Sequence, residues 1–323
     1  MSSVKIVVPD DFPISYGSVV HPDLARLQPY GEVVTYTTRF SDRDEFFARI
    51  AEANVVINVR AYSKFDEEAL AHAPNLKMIS VQGVGTDNVD LAAARSRGIV
   101  VTNTPGVNSL SVAELAIGLI FAVVRAIPVS DRRMRAGTWQ HPPAFELQGK
   151  TLGLLGLGAI GAHTARMAAG LGLKVIAWSW NQDSERAARL GVELVERDDL
   201  FRRSDIVSVH LKNTPEARGS VGARELGLMK SSAVLINTAR AAILDQDAVV
   251  EALQSGQIAG AGLDVYLTEP LPPDENPFAG MENVVLMPHA GGVTAESTVR
   301  SNAAPVDNVI AFLEGRTVNI VNP

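Results

Sequence analysis

The chain has 323 residues, of which 46% are hydrophobic and 20% charged, so it can bury a sizeable core and reads as two domains rather than one. With 29 Lys plus Arg against 36 Asp plus Glu, a formal charge of -7 and no basic block, a nucleic-acid or anionic-membrane partner is not expected. The absence of cysteine excludes disulfides, thiolate metal sites and a thiol nucleophile.

The opening Met-Ser-Ser-Val-Lys runs directly into a strand-like stretch without the apolar core of a signal peptide, which predicts a cytoplasmic protein. Short β-branched runs then alternate with helical patterns. Val4–Val8, Val33–Thr37, Val55–Val59, Leu76–Val81 and Ile99–Thr102 read as buried strands, with helical spacing over Asp42–Glu52, Asp66–Ala73 and Val89–Arg97. Next comes a long helix over Ser111–Ile127, with Pro128 marking its end or a kink. Its most apolar run, Leu115–Val124, is too short to span a bilayer. A second strand series follows Gly149: Thr151–Leu155, Lys174–Ser179, Asp205–His210, Ala233–Asn237, Gly260–Val265 and Val284–Met287. A final helix over Thr294–Leu313 should be bent by Pro305. Near-continuous apolar strands alternating with helices predict an α/β architecture with parallel sheets covered on both faces.

Gly156-Leu157-Gly158-Ala159-Ile160-Gly161 follows one of these strands and opens a helix to about Leu171. The first glycine permits a tight turn, the second lets backbone approach a pyrophosphate, and the third allows close helix–strand packing. Amide groups at the start of the helix would then hold phosphates. After the next strand, Trp178-Ser179-Trp180-Asn181 offers no carboxylate for the ribose, and no cation appears before Arg186. Ser179 and Asn181 can hydrogen-bond a ribose without charge, while Asp183 and Glu185 would repel a 2′-phosphate. These residues favour NAD, with NADP or dual use left open.

Further polar clusters sit at strand ends: His210, Asn237-Thr238-Ala239-Arg240, Asp264 to Pro270, and Pro288-His289-Ala290-Gly291. Ligands of an open parallel sheet bind beyond the carboxyl ends of its strands, so these clusters should share an edge with the glycine turn. Together with Gly83-Val84-Gly85-Thr86-Asp87-Asn88-Val89-Asp90, Asn103-Thr104-Pro105-Gly106 and Val112-Ala113-Glu114, they make almost the whole chain resemble the D-isomer-specific 2-hydroxyacid dehydrogenases.

The resemblance implies two doubly wound parallel-sheet lobes. A Rossmann cofactor domain (104–293) would be inserted into a flavodoxin-like substrate domain (1–103 and 294–323), with the active site in the cleft between them. It implies that Arg240 clamps the substrate carboxylate and polarises the keto oxygen, a task that suits a planar guanidinium. His289 would be the general acid–base and Glu269 its partner, since a nearby anion favours an imidazolium. Asp264 would lie at the nicotinamide, with His210 and Thr238 also beside the cofactor, while Arg60, Val84 and Gly85 would meet the substrate. No metal site is indicated, and a homodimer is implied, with the Ser111–Ile127 helix at its interface.

The expected substrate is a small 2-keto or 2-hydroxy acid. Val59-Arg60 and the closing Val318 to Pro323 resemble the phosphoglycerate dehydrogenases, but Val81-Gln82 lacks the basic residue often found before Gly83, so phosphoglycerate oxidation is the runner-up. Two other classes are weighed: an NAD(H)-sensing binding protein, which resembles this family in keeping its catalytic residues, and a Rossmann methyltransferase. The latter does not account for the set of Arg240, Glu269 and His289.

Overall fold

The computed structural model describes residues 4–59 and 62–323, so the expected substrate contact Arg60 lies outside the described residues. The chain divides into two compact units, Met1–Asn108 with Val293–Pro323, and Ser109–Gly292.

In the first unit five strands, β1 (Val4–Val8), β2 (Gly31–Thr35), β3 (Val55–Asn58), β4 (Met78–Val81) and β5 (Val100–Thr102), form a parallel sheet of order β2-β1-β3-β4-β5. This is the flavodoxin-like doubly wound order. Alternation along the strands splits the core in two. Val7, Val56 and Ile79 pack with Phe46, Phe65 and Leu70 on one face. Ile6, Val8, Ile57 and Met78 pack with Leu24, Val306 and Val309 on the other. Three helices of the unit begin alike: Asp42, Asp66 and Asp90 each accept a hydrogen bond from a backbone N–H of the first turn, at Glu45, Ala69 and Ala93.

The last helix, Ala295–Leu313, continues through Pro305, where the sequence predicts a bend. Proline leaves the carbonyl four residues earlier without its helical donor. That carbonyl belongs to Ser301, and Gln82 Nε2 donates to it at 3.0 Å. Gln82 also donates to Asn302 Oδ1 at 2.9 Å, and Ser80 Oγ donates to the Pro305 carbonyl at 3.0 Å. The sheet supplies what the helix lost.

The second unit holds seven parallel strands: β6 (Thr151–Leu155), β7 (Lys174–Trp178), β8 (Glu193–Leu194), β9 (Ile206–Val209), β10 (Val234–Asn237), β11 (Gly260–Leu263) and β12 (Val284–Leu286). Their order, β12-β11-β10-β9-β6-β7-β8, is that of a Rossmann sheet extended by one strand, with its reversal between β6 and β9. The sequence predicts six strands here; the seventh, β8, has two residues and no apolar run to announce it.

The apolar helix Ser109–Val124 covers this sheet, with Ala116, Leu119 and Ile120 packed against Leu152, Leu154 and Ile236. A Cβ at Gly262 would come within 3.0 Å of Leu119 Cβ, so glycine permits the close approach. The helix ends before Pro128. Ala126 takes a left-handed conformation (φ 48°) and a second helix, Ile127–Arg135, starts with Pro128 in its first turn, where a missing N–H costs nothing. No single helix among the described residues is long and apolar enough to cross a membrane.

Candidate active site

In the second unit the glycine turn, Ser179, Asn181, His210, Thr238, Arg240, Asp264, Glu269 and His289 each follow the carboxyl end of a parallel strand and lie along one edge of the sheet, whereas Val112-Ala113-Glu114 lies within the helix Ser109–Val124. The glycine turn links β6 to the helix Ala159–Gly170 at the point where strand order reverses. Its three glycines have different surroundings. Gly156 has φ +111°, and a Cβ there would lie 2.7 Å from the carbonyl oxygen of His210. A Cβ on Gly161 would lie 2.3 Å from the carbonyl oxygen of Gly156. Around Gly158 nothing stands within 4 Å of that position among the described residues. Two glycines are thus required by the fold, and the middle one borders open space.

Two polar atoms on this sheet edge are buried without a protein partner: His210 Nδ1, whose residue abuts the turn, and Thr238 Oγ1, after β10. The other ring nitrogen of His210 is engaged with Ser208 Oγ at 2.9 Å. Burial pushes the His210 imidazole down to about 4, so the ring is neutral at physiological pH. A buried polar group without a partner costs about 1–3 kcal/mol. Two such groups on the sheet edge that carries the glycine turn fit a cofactor that completes their hydrogen bonding. After β7, Ser179 Oγ donates to the Asn181 carbonyl at 3.3 Å, and Asn181 is exposed.

The loop after β10 is shaped by a residue to which the sequence assigns no role of its own within its polar cluster. Buried Asn237 accepts from the Ala239 N–H at 3.0 Å and donates from Nδ2 to the Arg240 carbonyl at 3.0 Å. This pair of bonds fixes the backbone that carries the half-buried Arg240, whose Nη1 donates to the Ala239 carbonyl at 2.8 Å.

The loops after β11 and β12 meet through side chains. Glu269 Oε2 is 2.6 Å from Nδ1 of His289, and the other oxygen, Oε1, accepts from the Tyr266 N–H at 2.9 Å. Asp264 accepts from the N–H groups of Ala290 (2.7 Å) and Gly291 (2.9 Å), fixing the backbone directly after His289. Tyr266, part of the same cluster but given no role by the sequence, donates its hydroxyl to the carbonyls of Leu263 (3.2 Å) and Met287 (2.9 Å), tying the two strand ends together. Its hydroxyl is pushed up to about 12 by burial.

Electrostatics separates the two carboxylates. Burial raises Asp264, and its bonds to the Ala290 and Gly291 N–H groups only partly offset that. Burial also raises Glu269, but the bonds from His289 and Tyr266 together with the charges of His289 and Arg240 outweigh it, and the group lies below the usual carboxylate range. Glu269 is therefore held as an anion against His289. Among the described residues no cluster of three His, Cys, Asp or Glu side chains could hold a metal.

Val84 and Gly85 belong to the first unit, in the loop after β4. Asn103 Nδ2 donates to the Val84 carbonyl at 2.8 Å, and the Gly83 N–H donates to Thr104 Oγ1 at 2.6 Å. Gln82, standing where a basic residue was sought, is committed to the final helix.

Residues 117–291 match the family described as "D-isomer specific 2-hydroxyacid dehydrogenase, NAD binding domain". The chain belongs to the D-isomer-specific 2-hydroxyacid dehydrogenases. Glyoxylate reductase of Thermococcus litoralis is 40% identical over 290 residues, covering 87% of this chain and 87% of that protein. D-3-phosphoglycerate dehydrogenase of Archaeoglobus fulgidus is 38% identical over 283 residues, 87% of this chain, which spans only 53% of that relative's length. Among solved structures, D-lactate dehydrogenase of Aquifex aeolicus, complexed with NAD and lactic acid, superposes with a TM-score of 0.86 at 27% identity, covering 99% of both chains. The family match falls wholly within the second unit, the one that carries the glycine turn.

Proposed function

We propose that this dehydrogenase-family chain interconverts a small D-2-hydroxy acid and its 2-keto acid with NAD(H). The observation that carries the reading is the 2.6 Å contact of Glu269 with His289 on the sheet edge that also bears the glycine turn. Gly156, Gly158, Ala159, Ile160 and Gly161 would cradle the pyrophosphate. Ser179 and Asn181 would meet the ribose, and His210, Thr238 and Asp264 would line the remainder of the cofactor site. When bound, the nicotinamide supplies or accepts the hydride.

With Nδ1 taken by Glu269, Nε2 of His289 is the ring atom left to give a proton to the keto oxygen during reduction, or to take one from the hydroxyl during oxidation. The Glu269 anion stabilises the charge that the ring carries before that transfer. Arg240 pairs with the substrate carboxylate and draws electron density from the carbonyl, which fits a 2-keto acid, where the two groups are adjacent. Val84 and Gly85 offer backbone N–H groups to the carboxylate, and Arg60, outside the described residues, is proposed only by its resemblance. Because Gln82 is occupied, the loop after β4 gives no cation at that position for a substrate phosphate, which ranks an unphosphorylated acid above phosphoglycerate.

The test is loss of NADH absorbance with a panel of 2-keto acids, glyoxylate, hydroxypyruvate and pyruvate among them. Turnover that disappears in His289→Ala and Arg240→Ala is expected; binding of NADH with no turnover of any acid would favour a sensing protein instead. We also infer a homodimer, supported by the exposed apolar side chains of Leu110, Ile127, Met134 and Trp139 in and after the bent helix pair. Light scattering should return about twice the chain mass, and a monomer mass would reject the inference.

A further inference from the structure

The strand that delivers His289, β12, lies at the edge of its sheet, so only β11 pairs with it. Their ladder ends where the Met287 N–H donates to the Leu263 carbonyl at 2.8 Å. Two residues later His289 takes its left-handed conformation, φ 52°, which a side chain adopts only when its surroundings impose it. The segment cannot impose it alone. Pro288 has no N–H, and among the described residues neither Pro288 nor His289 makes a backbone hydrogen bond.

Side chains grip the backbone on either side instead. After His289, Asp264 accepts from the Ala290 and Gly291 N–H groups. Before it, the Tyr266 hydroxyl donates to the Met287 carbonyl at 2.9 Å and so takes over where the ladder stops. The Leu263 carbonyl, also within reach of that hydroxyl, has the Met287 N–H as well, whereas the Met287 carbonyl has no other donor among the described residues. Tyr266 reaches the carboxylate too, since its own N–H donates to Glu269 Oε1 at 2.9 Å. Both members of the pair thus lead back to one half-buried residue. Burial pushes its hydroxyl up to about 12, so it keeps its proton and remains a donor at physiological pH.

We propose that Tyr266 is a positioning residue for the proton transfer: its phenol holds the Met287 carbonyl so that His289 keeps Nδ1 on Glu269 and presents Nε2 in a fixed direction. The inference rests on the dehydrogenase reading of the pair and adds to it a residue that acts through the pair. A proton-transfer group must be held to within about 0.5 Å and 10–20° of its productive geometry. Displacement by about 1 Å can cost about 10²-fold in rate. Tyr266→Phe keeps the ring and the N–H that binds Glu269 and removes only the hydroxyl. It leaves the charges around the pair, Asp264, Glu269 and Arg240, as they are.

The experiment compares Tyr266→Phe with the unmodified chain. In steady-state reduction of the best 2-keto acid of the panel, kcat should fall by about tenfold, while the KM for the acid and the affinity for NADH stay within about twofold. A second readout needs no turnover. In protein carrying ¹³C-labelled glutamate, the Glu269 carboxyl, assigned by its absence in Glu269→Gln, should titrate closer to the ordinary carboxylate value in the variant. A looser contact with His289 stabilises the anion less. An unchanged kcat or an unchanged Glu269 titration would overturn the proposal. So would kcat, KM and NADH affinity failing together, which marks a general loosening of the fold. If the unmodified chain turns over no acid, the dehydrogenase reading fails, and the Glu269 titration still decides whether Tyr266 positions the pair.

Discussion

Glu269 and His289, twenty residues apart in sequence, are joined by a 2.6 Å contact between Oε2 and Nδ1. Neither side chain is left to find the other by chance. The Tyr266 N–H holds the second oxygen of the carboxylate, and Asp264 grips the two amides that follow the histidine. The pair is therefore fixed from both sides, with Nε2 the ring atom of His289 that lies outside the contact.

Replacement of Glu269 by Gln keeps the shape and removes the anion. The rate of 2-keto acid reduction should fall by about 10²-fold, the lower end of the range for losing a general acid's support, with the substrate KM little changed. Steady-state kinetics on the best acid of the panel checks this. Equal loss in KM would place Glu269 in binding instead.

The same carboxylate makes a pH prediction. Its native-state value lies below the ordinary one, so its ionisation stabilises the fold above the ordinary carboxylate range, and that contribution disappears as pH falls through the lower native value. The gap in melting temperature between the unmodified chain and Glu269→Gln should be level above about pH 5 and close as the pH drops below about 4. Scanning calorimetry across that range is the measurement. A gap independent of pH would contradict the assignment.

The glycine turn should divide under alanine substitution. Gly161→Ala brings a methyl to within 2.3 Å of the Gly156 carbonyl and should cost about 1–3 kcal/mol of stability. Gly158→Ala meets no neighbouring protein atom and should melt normally, yet bind NADH about tenfold or more weakly, because the methyl occupies space the pyrophosphate needs. Thermal unfolding and NADH titration of both variants separate the two roles.

Arg240→Lys keeps the charge but replaces a planar fork by a point donor, and Arg240→Gln loses the charge as well. Catalytic efficiency toward the keto acid should fall in that order, by about 10²-fold and about 10³-fold, while NADH affinity stays within about twofold. Weakened NADH binding in both variants would shift Arg240 from the substrate to the cofactor.

Gln82→Ala should strip the Ser301 carbonyl of its donor and destabilise the first unit by about 1–3 kcal/mol without altering NADH affinity. Denaturant unfolding followed by circular dichroism reads this directly.

Strand–helix alternation, the parallel sheets and the glycine turn were legible because they depend on local pattern: β-branched runs, apolar positions at helical spacing and three spaced glycines. The discrepancies arise where a distant residue repairs or imposes a local feature. The helix over Pro305 was expected from its pattern, but not that Gln82, more than two hundred residues earlier, would donate to the Ser301 carbonyl that the proline leaves without a helical donor. The helix break falls at Ala126 rather than Pro128 because proline is welcome in a first turn. Asn237 and Tyr266 stood within singled-out clusters, but their roles were not legible, because they bond backbone and backbone partners leave no motif. Arg186 read as a distant cation until folding set it against Leu157.

His289 occupies left-handed backbone space at φ 52°, a region where glycine sits freely and a side chain costs about 1–3 kcal/mol. A His289→Gly exchange would free the backbone but also withdraw the bond that holds Glu269 below the ordinary carboxylate range, so the two effects on melting temperature oppose each other. The costly backbone and the carboxylate contact are tied to one residue, and neither can be edited without the other.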